Sequence, residues 1–285
     1  MSINFSKNAW VILNPIEQEI KRKIEAVGTP LKDWDINIYR GIVTGCNEAF
    51  IIDKATKNAL IKQDPQSADI IRPILRGKDI KRYGYEFAEK WLLFVPWHFP
   101  LHRDNTITGV SEKAEQEFLK QYPAVYKHLL QYKTELSNRN KAETGIRYEW
   151  YALQRWGANY WEDFYKQKII YPCIMASEPC FVYDEDQHFT PAPGNIITGN
   201  NIKYLLAFLC SKACYFALRK YYMGGGIEGE LKTNRLLILP VPKPTSDIEQ
   251  QIEKLLNAKK YDEIDIIVYR LYGLNTSEIE FIETQ

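Results

Sequence analysis

Apolar residues recur at helical spacing in three stretches of the chain. In residues 14–27 an isoleucine or valine stands at every third or fourth position, and Gly28 follows as a stop signal. Residues 111–136 carry a similar stripe, with Ser111 as the candidate N-cap. Residues 201–222 are apolar almost all round, as expected of a buried helix. The pattern predicts helical structure in all three stretches.

An interrupted strand pattern spans the sequence YRGIVTGCNEAFIID, residues 39–53. Its hydrophobic ends flank a middle of small and polar residues. Gly45 and Asn47 belong to residue types that accept a positive φ, so a tight turn there can join two strand arms, 38–43 and 49–53. We predict a β-hairpin, whose turn has either a purely structural role or faces a binding partner.

Other short runs are rich in β-branched and aromatic residues, as strands are. KWLLFVPW, residues 90–97, predicts a buried strand that ends at Pro96. KIIYPCIM at 168–175 and PCFVYD at 179–184 predict two neighbouring strands. LLILPVPKP at 236–244 predicts a strand that runs into a proline-rich exit.

Strands and helices mix irregularly, without the βα alternation of a doubly wound fold. We therefore expect a mixed α/β (α+β) protein. The expected division is an N-terminal linker helix in residues 1–29, a main domain over 30–245, and a C-terminal acidic helical segment over 246–285. Two short helices separated near Gly273 are predicted in the last segment.

The composition is that of a soluble globular protein, with 45% hydrophobic and 26% charged residues. Neither an apolar run of the roughly 20 residues that a membrane span needs nor a signal-peptide pattern occurs, so a cytoplasmic location without membrane contact is expected. Five cysteines without a CxxC pair favour reduced thiols. Pro100 separates the best candidate metal ligands, His98 and His102, so no metal site is expected.

Charge is distributed unevenly, although the net charge is only +1. Residues 247–285 hold nine acidic and four basic residues, which sum to −5. Residues 1–246 therefore carry +6, because +1 minus −5 is +6. A modestly basic body with an acidic tail is compatible with nucleic-acid binding, and an ordinary solvated surface would give the same count.

Three patterns imitate catalytic motifs but lack their context. Residues 224–229 satisfy G-x-G-x-x-G, yet they follow a helical stretch rather than a strand. Asp69, Asp79 and Lys81 have the spacing of a metal-dependent nuclease, but Asp79 stands among basic residues that favour a salt bridge. NPIE at 14–17 begins like the NPPY motif of amino-group DNA methyltransferases but lacks the aromatic that stacks on a flipped base. We predict no catalytic, cofactor-binding or metal-binding residue.

Basic and aromatic residues interleave in three segments, 72–90, 147–156 and 219–235. Cations of this kind neutralise phosphates, and Arg and Gln can each make two hydrogen bonds to a base edge. Basic runs are also common as solvated faces, and Trp150 and Trp156 suit a core as well as a stacking surface.

Several motifs occur in an order that resembles a known family. They are PLKDWDINIYRGIVTGCNEAFIID, RPILRGKDIKRY, WYALQR followed by KQKIIYP, YLLAFLCSKACYFAL, LPVP and IDIIVYRLYGLNTSEIEFIE. The set is similar to the TaqI-like C-terminal specificity domains of type IIG restriction-modification enzymes and related adenine-specific DNA methyltransferases. Single motifs are weak, but their order over about residues 10–282 is fairly specific.

The resemblance implies a DNA target recognition domain over residues 30–245. It implies a twisted, mainly antiparallel sheet with flanking helices, like the recognition domains of type I specificity subunits. The implied partners are double-stranded DNA and the methyltransferase domain of a bacterial or archaeal parent, which would bind S-adenosylmethionine; a parent nuclease domain would need Mg²⁺. We expect no cofactor in this chain and no enzymatic activity from the chain alone.

The residues that contact DNA are chosen by their chemistry, because base-reading positions vary within such a family. Cations pair with phosphates, and Arg, Gln and small polar side chains reach base edges or phosphate oxygens. The candidates are Thr44, Asn47, Arg76, Lys78, Lys81, Arg82, Gln154, Arg155, Lys232 and Arg235.

Two alternative functions remain open at this point. An aromatic-rich protein- or carbohydrate-binding module would present Trp150 and Trp156 as an exposed platform. A metal-dependent nuclease would use Asp69, Asp79 and Lys81 around its metal.

Overall fold

A computed structural model of the chain describes residues 13–175, 177–223 and 229–285. Within these ranges the α-helices are α1 (Pro15–Val27), α2 (Asn47–Phe50), α3 (Lys54–Gln63), α4 (Glu112–Gln121), α5 (Pro123–Leu130), α6 (Lys133–Asn138), α7 (Ile202–Leu209), α8 (Lys212–Ala217), α9 (Thr233–Leu236), α10 (Ser246–Asn257), α11 (Tyr261–Leu271) and α12 (Thr276–Glu283). The strands are β1 (Thr29–Pro30), β2 (Ile36–Arg40), β3 (Ile51–Asp53), β4 (Ile71–Pro73), β5 (Ile80–Lys81), β6 (Gly84–Tyr85), β7 (Lys90–Leu93), β8 (Lys168–Tyr171), β9 (Val182–Asp184), β10 (Asn195–Gly199) and β11 (Pro240–Val241).

A four-stranded sheet in the order β2-β10-β8-β9 lies at the centre of the fold. Its strands pair antiparallel, and Asn195 of β10 lies opposite Arg40 on one side and Tyr171 on the other. The C-terminal ends of β2 and β8 therefore lie beside the N-terminal end of β10. The predicted pairing of KIIYPCIM with PCFVYD is confirmed as β8 and β9, and so is the mixed fold of antiparallel sheets with flanking helices.

Both faces of the two inner strands, β8 and β10, are buried, and successive side chains of each strand point to opposite faces. Ile169 and Tyr171 of β8 and Ile197 of β10 belong to one apolar cluster. Their neighbours along the two strands, Ile170 of β8 and Ile196 of β10, belong to a second cluster. The sheet is thus a partition between two hydrophobic cores, which is why β8 consists of consecutive large residues.

The first core lies between the sheet and helices from the N-terminal and C-terminal parts of the chain. Ile20 of α1, Ile264 of α11 and Ile282 of α12 are buried in it. Lys23 of α1 also pairs with Glu278 of α12, with 2.8 Å between Nζ and Oε2. The segments before and after the main domain therefore pack against it, and the division into three segments stays a prediction.

The second core is enclosed by a three-stranded antiparallel sheet in the order β3-β7-β4 and by the segments around it. The predicted strand KWLLFVPW is confirmed over its first four residues as β7, which ends at Leu93 instead of Pro96; Trp91, Leu92 and Leu93 are buried in it. Trp150 and Trp156 also belong to this core. Aromatic residues make up 13% of the chain, and a large part of them belongs to this core.

The hairpin predicted over residues 38–53 is wrong. β2 pairs with β10 of the central sheet, whereas β3 pairs with β7 of the second sheet. Gly45 does adopt a positive φ, of 74°, but Asn47 begins α2 instead of completing a turn. The segment 41–46 is therefore a crossing between two sheets. The sequence pattern correctly predicted an interruption between two strands. It could not show their pairing partners, β10 and β7, which lie outside residues 38–53.

Helix α1 is confirmed, and its first residues explain NPIE. The Asn14 side chain accepts a hydrogen bond from the Glu17 amide at 2.9 Å, and the Glu17 carboxylate accepts one from the Asn14 amide at 2.9 Å. Pro15 fits the first turn, because a backbone N–H at this position would have no hydrogen-bond partner within the helix. The NPIE sequence is therefore a capping box that starts a helix.

The stretch 201–222 is divided and is not one helix. α7 ends at Leu209, and Ser211 caps α8 by accepting a hydrogen bond from the Cys214 amide at 3.2 Å. A π-helical turn at Leu218–Tyr222 follows. Interior polar residues such as Ser211 compete for backbone hydrogen bonds, which is why an apolar pattern alone overestimates helix length.

Other helical patterns also change in detail. Residues 246–285 form three helices rather than two, with Gly273 between α11 and α12 as predicted. Ser111 caps α4 as predicted, while Pro123 starts α5 and so divides the stretch 111–136. The predicted strand at 236–244 is confirmed only for β11, since its first residue closes α9.

None of the helices in the described part of the chain is long and apolar enough to cross a bilayer. The glycine-rich motif, except for Gly229, lies outside the described residues.

Candidate nucleic-acid interface

Three connections meet at the end of the central sheet where β2 and β8 finish and β10 begins. They are residues 41–46, the described residues 172–175 and 177–181 of the second connection, and residues 185–194. Backbone hydrogen bonds join the first to the third: the Gly41 amide donates to the Gly194 carbonyl at 2.7 Å, and the Ile42 amide to the Thr190 carbonyl at 2.9 Å. The first and third connections thus lie side by side as one layer.

Two more segments extend this layer. The backbones of Val43 and Arg155 exchange two hydrogen bonds of 2.9 Å each. The Leu231 amide donates to the Cys173 carbonyl at 2.7 Å. Residues 154–157 and 229–235 therefore lie beside the sheet end, although they are distant in sequence.

The turn at residues 76–79 completes the surface. Gly77 lies so close to Pro172 that a Cβ on the glycine would be 3.0 Å from the proline Cβ. The hydroxyl of Thr190 also donates to the Leu75 carbonyl at 2.7 Å. We call the surface formed by residues 41–47, 76–79, 154–157, 172–175 and 229–235 the loop face.

Four of the predicted DNA-binding residues meet in one part of the loop face. Thr44 is buried, and its hydroxyl donates to the Asn47 side-chain oxygen at 2.7 Å. Gln154 lies against Gly45, and Asn47 and Arg155 are exposed. Thr44 is therefore placed to orient Asn47, while Asn47, Gln154 and Arg155 can reach a ligand.

Four predicted cations lie in the other part. Lys78 and Lys232 are exposed, and Arg235 is half-buried in α9. Arg76 donates through Nε and Nη2 to the Asp79 carboxylate, at 2.9 Å each. Asp79 also accepts a hydrogen bond from the Arg76 amide. Both oxygens of Asp79 are thus bound to Arg76, which supports the salt-bridge role predicted for it rather than a metal-binding role.

The remaining two predicted cations lie further along the chain. Lys81 is exposed on β5. Arg82 donates through Nε to the Cys210 carbonyl and through Nη2 to Asp265, at 2.8 Å each. Its guanidinium therefore joins the main domain to α11 and is not directed at a ligand. Sequence reasoning could not separate Arg82 from its neighbours, because Asp265 lies far along the chain.

A half-buried arginine behind the loop face was missed by sequence reasoning. Arg139 donates to the Thr44 carbonyl at 2.6 Å, to the Trp150 carbonyl at 3.1 Å and to the Ala152 carbonyl. Burial lowers the pKa of its guanidinium to about 10. Arg139 therefore ties the crossing loop to residues 150–152. The available signal was the cluster of basic residues at 139–147.

Charged clusters elsewhere are internally satisfied. Asp184 accepts hydrogen bonds from Lys168 at 2.5 Å and from the His188 ring at 2.6 Å. Ligand atoms of Asp184, Asp186 and His188 lie within 4.8 Å of one another. The buried ammonium of Lys168 already supplies positive charge there, so the arrangement is a structural ion cluster. His98 likewise binds Glu149 through Nδ1, at 2.9 Å.

The aromatic platform of the alternative binding module is absent from the surface described by the structure. Trp150 and Trp156 are only 8% and 9% exposed. The Trp150 indole N–H donates to Glu115 at 2.7 Å. Both rings are core residues, so they offer no face to a sugar or peptide.

The fold is similar to part of each of two restriction-modification enzymes of known structure. The type IIL restriction-modification enzyme MmeI, solved in complex with DNA, matches with a TM-score of 0.57 and 14% identity, over 90% of this chain and 36% of its own. The type IIG restriction endonuclease BpuSI matches with a TM-score of 0.53 and 15% identity, over 85% of this chain and 27% of its own. The chain thus spans only about a third of each enzyme.

The sequence identifies the family more narrowly. The profile of the TaqI-like C-terminal specificity domain matches residues 72–241, and the chain belongs to that family. The type II methyltransferase M.MjaIV of Methanocaldococcus jannaschii is 26% identical over 253 residues, which are 86% of this chain and 74% of that protein. The resemblance drawn from the ordered motifs is confirmed.

Proposed function

We propose that the chain binds double-stranded DNA sequence-specifically through the loop face, as the target recognition domain of a restriction-modification protein. One observation carries the proposal: cationic and amide side chains from four distant segments, 41–47, 76–79, 154–157 and 229–235, lie on one surface at the end of a rigid sheet. Functional residues are commonly placed on loops that a packed scaffold positions. Family membership and the fold support the same proposal.

The two parts of the loop face suit different contacts. Asn47, Gln154 and Arg155 carry the amide and guanidinium groups that make paired hydrogen bonds to base edges. Lys78 and Lys232 carry point charges that suit phosphates, which position a protein without reading sequence. We therefore assign base reading to the first group and backbone contacts to the second, with Lys81 as an outlying phosphate contact.

A partner domain is part of the proposal. The net charge of +1 is small for a protein that holds DNA alone. A methyltransferase domain of the parent protein, which binds S-adenosylmethionine, would supply further phosphate contacts from the opposite side of the duplex. The parent would act in the cytoplasm of a bacterium or archaeon, and a nuclease domain within it would use Mg²⁺.

The test is selection of bound duplexes from a pool with a randomised centre, at low salt, followed by affinity measurements on the enriched sequence. We expect one enriched sequence and an affinity that falls steeply between roughly 50 and 200 mM salt. Equal affinity at both salt concentrations, or binding without any enrichment, would refute the proposal.

A further inference from the structure

Glu143 lies between two exposed arginines at the rim of the loop face. Its Oε1 accepts a hydrogen bond from Arg147 Nη1 at 2.9 Å, and its Oε2 accepts one from Arg155 Nη2 at 2.7 Å. Asn140 donates to Oε2 as well, at 2.6 Å. One carboxylate therefore holds two guanidinium groups that start from different loops.

An indole ring supports the same two arginines. The guanidinium carbons of Arg147 and Arg155 lie 5.5 and 5.9 Å from the centroid of Trp97. Trp97 stacks on Tyr148 with 4.6 Å between centroids, and its N–H donates to the Leu153 carbonyl at 2.8 Å. The ring is thus fixed, and each arginine is restrained by a carboxylate and an aromatic face together.

A contribution to folding stability does not explain why Glu143 pairs with both arginines. The side chains of Arg147 and Arg155 are 60% and 48% exposed, and exposed ion pairs contribute little to folding. Holding long side chains in one rotamer has an entropy cost, which is recovered when a ligand binds the ordered form. Hydrogen bonding to Arg155 lowers the pKa of Glu143, so the carboxylate stays ionised near neutral pH.

We infer that Glu143 is a positioning residue for base recognition, which holds Arg155 on Trp97 in the orientation that reads a guanine. This inference rests on the proposed DNA-binding function. Arg155 has N–H groups beyond those bound to Glu143 and to the Gln154 carbonyl, and guanine offers the two acceptors that suit an arginine fork. The negative charge of Glu143 also opposes binding to phosphates alone, so it favours discrimination over affinity.

The experiment compares Glu143→Gln with the unsubstituted 285-residue chain on the enriched duplex and on random duplexes. Glutamine keeps the size of the side chain but loses its charge and one acceptor oxygen. We expect binding to random duplexes to rise several-fold, with a salt slope steeper by about one. Preference for guanine at one position should fall by about tenfold or more.

The control is Glu48→Gln, which removes an exposed carboxylate next to the crossing loop that makes no hydrogen bond or ion pair with an arginine in the described part of the chain. Its carboxylate accepts a hydrogen bond from the Cys46 thiol, at 3.7 Å. We expect Glu48→Gln to raise binding to random duplexes but to leave the guanine preference unchanged. Thermal unfolding of both variants shows whether either one fails to fold.

A double-variant cycle tests the route of the effect. If Glu143 acts through Arg155, then Glu143→Gln in an Arg155→Gln background should cause no further loss of discrimination. Additive losses would overturn the inference, and so would unchanged discrimination in Glu143→Gln. If the unsubstituted chain binds no duplex in a salt-dependent way, the proposed function is refuted together with this inference. If the chain binds DNA but Glu143→Gln leaves discrimination unchanged, only this inference is refuted.

Discussion

Alanine at position 45 would disturb the crossing loop at its most confined point. Gly45 has a φ of 74°. A Cβ there would lie 2.6 Å from the Gln154 side-chain oxygen and 2.8 Å from Cδ of Arg139. Neither distance is compatible with van der Waals radii, so the substitution must displace the loop, Gln154 or Arg139.

The expected loss combines two effects. A left-handed backbone costs an alanine about 1–2 kcal/mol. Displacing Arg139 from one of its three carbonyl partners costs about 1.5–3 kcal/mol, the range for hydrogen bonds to charged groups. The unfolding free energy should therefore fall by about 2.5–5 kcal/mol. Gly273 is the matched control, because its φ is 66° and a Cβ there would meet nothing within 4 Å.

Urea unfolding followed by tryptophan fluorescence measures both variants, and duplex binding is measured below the transition. Gly273→Ala should lose only about 1–2 kcal/mol and bind DNA as before. Gly45→Ala should lose more stability and bind the enriched duplex more weakly, since Gln154 and Asn47 move with the loop. Equal stability of the two variants would refute the reasoning about confinement, and unchanged binding by Gly45→Ala would refute the role of the loop.

Three further predictions concern charged side chains. Asp184→Asn should cost about 3–5 kcal/mol, because it leaves Lys168 buried without its carboxylate. Burial raises the pKa of the Asp184 carboxyl, but the hydrogen bond from His188 and the charge of Lys168 outweigh burial, so the pKa in the folded protein is lowered. The stabilisation by Asp184 is therefore present above the unfolded pKa of about 4 and is lost as the pH falls through the folded pKa. Unfolding curves of Asp184→Asn should no longer show this acid dependence. Arg82→Gln should lower the melting temperature because it breaks the bond to Asp265, while leaving the salt slope of DNA binding unchanged; a reduced slope would show that Arg82 reaches phosphate. Lys78→Gln should reduce that slope by about one in salt titrations and change the unfolding free energy by less than about 0.5 kcal/mol, and an unaltered slope would remove Lys78 from the interface.

Local backbone chemistry was largely readable from the sequence. Ser111 caps α4, Gly45 takes a positive φ, and Gly273 separates two helices. Each of these features depends on neighbouring residues alone. Strand pairing depends on residues that are distant in sequence. β2 pairs with β10, which lies more than 150 residues further along the chain, so the pattern of residues 39–53 could not predict this partner.

The candidate site was predictable in type but not in detail. Arg76 and Arg82 look alike in sequence, yet Arg76 stays at the loop face and Arg82 is used to hold α11. Arg139 and Glu143 were missed because their importance comes from partners brought close only by folding. A count of basic residues therefore finds the region, while the geometry selects the side chains.

The loop face lies beyond the ends of a sheet that separates two cores. This position affects how the proposed DNA specificity can change during evolution. Ile169 and Ile170 of β8 keep one core each filled, and neither side chain belongs to the loop face. Side chains such as Asn47 and Lys232 can therefore be exchanged without repacking either core. If the loop face reads DNA as proposed, such a scaffold can acquire a new target sequence by a few surface substitutions while both cores stay unchanged.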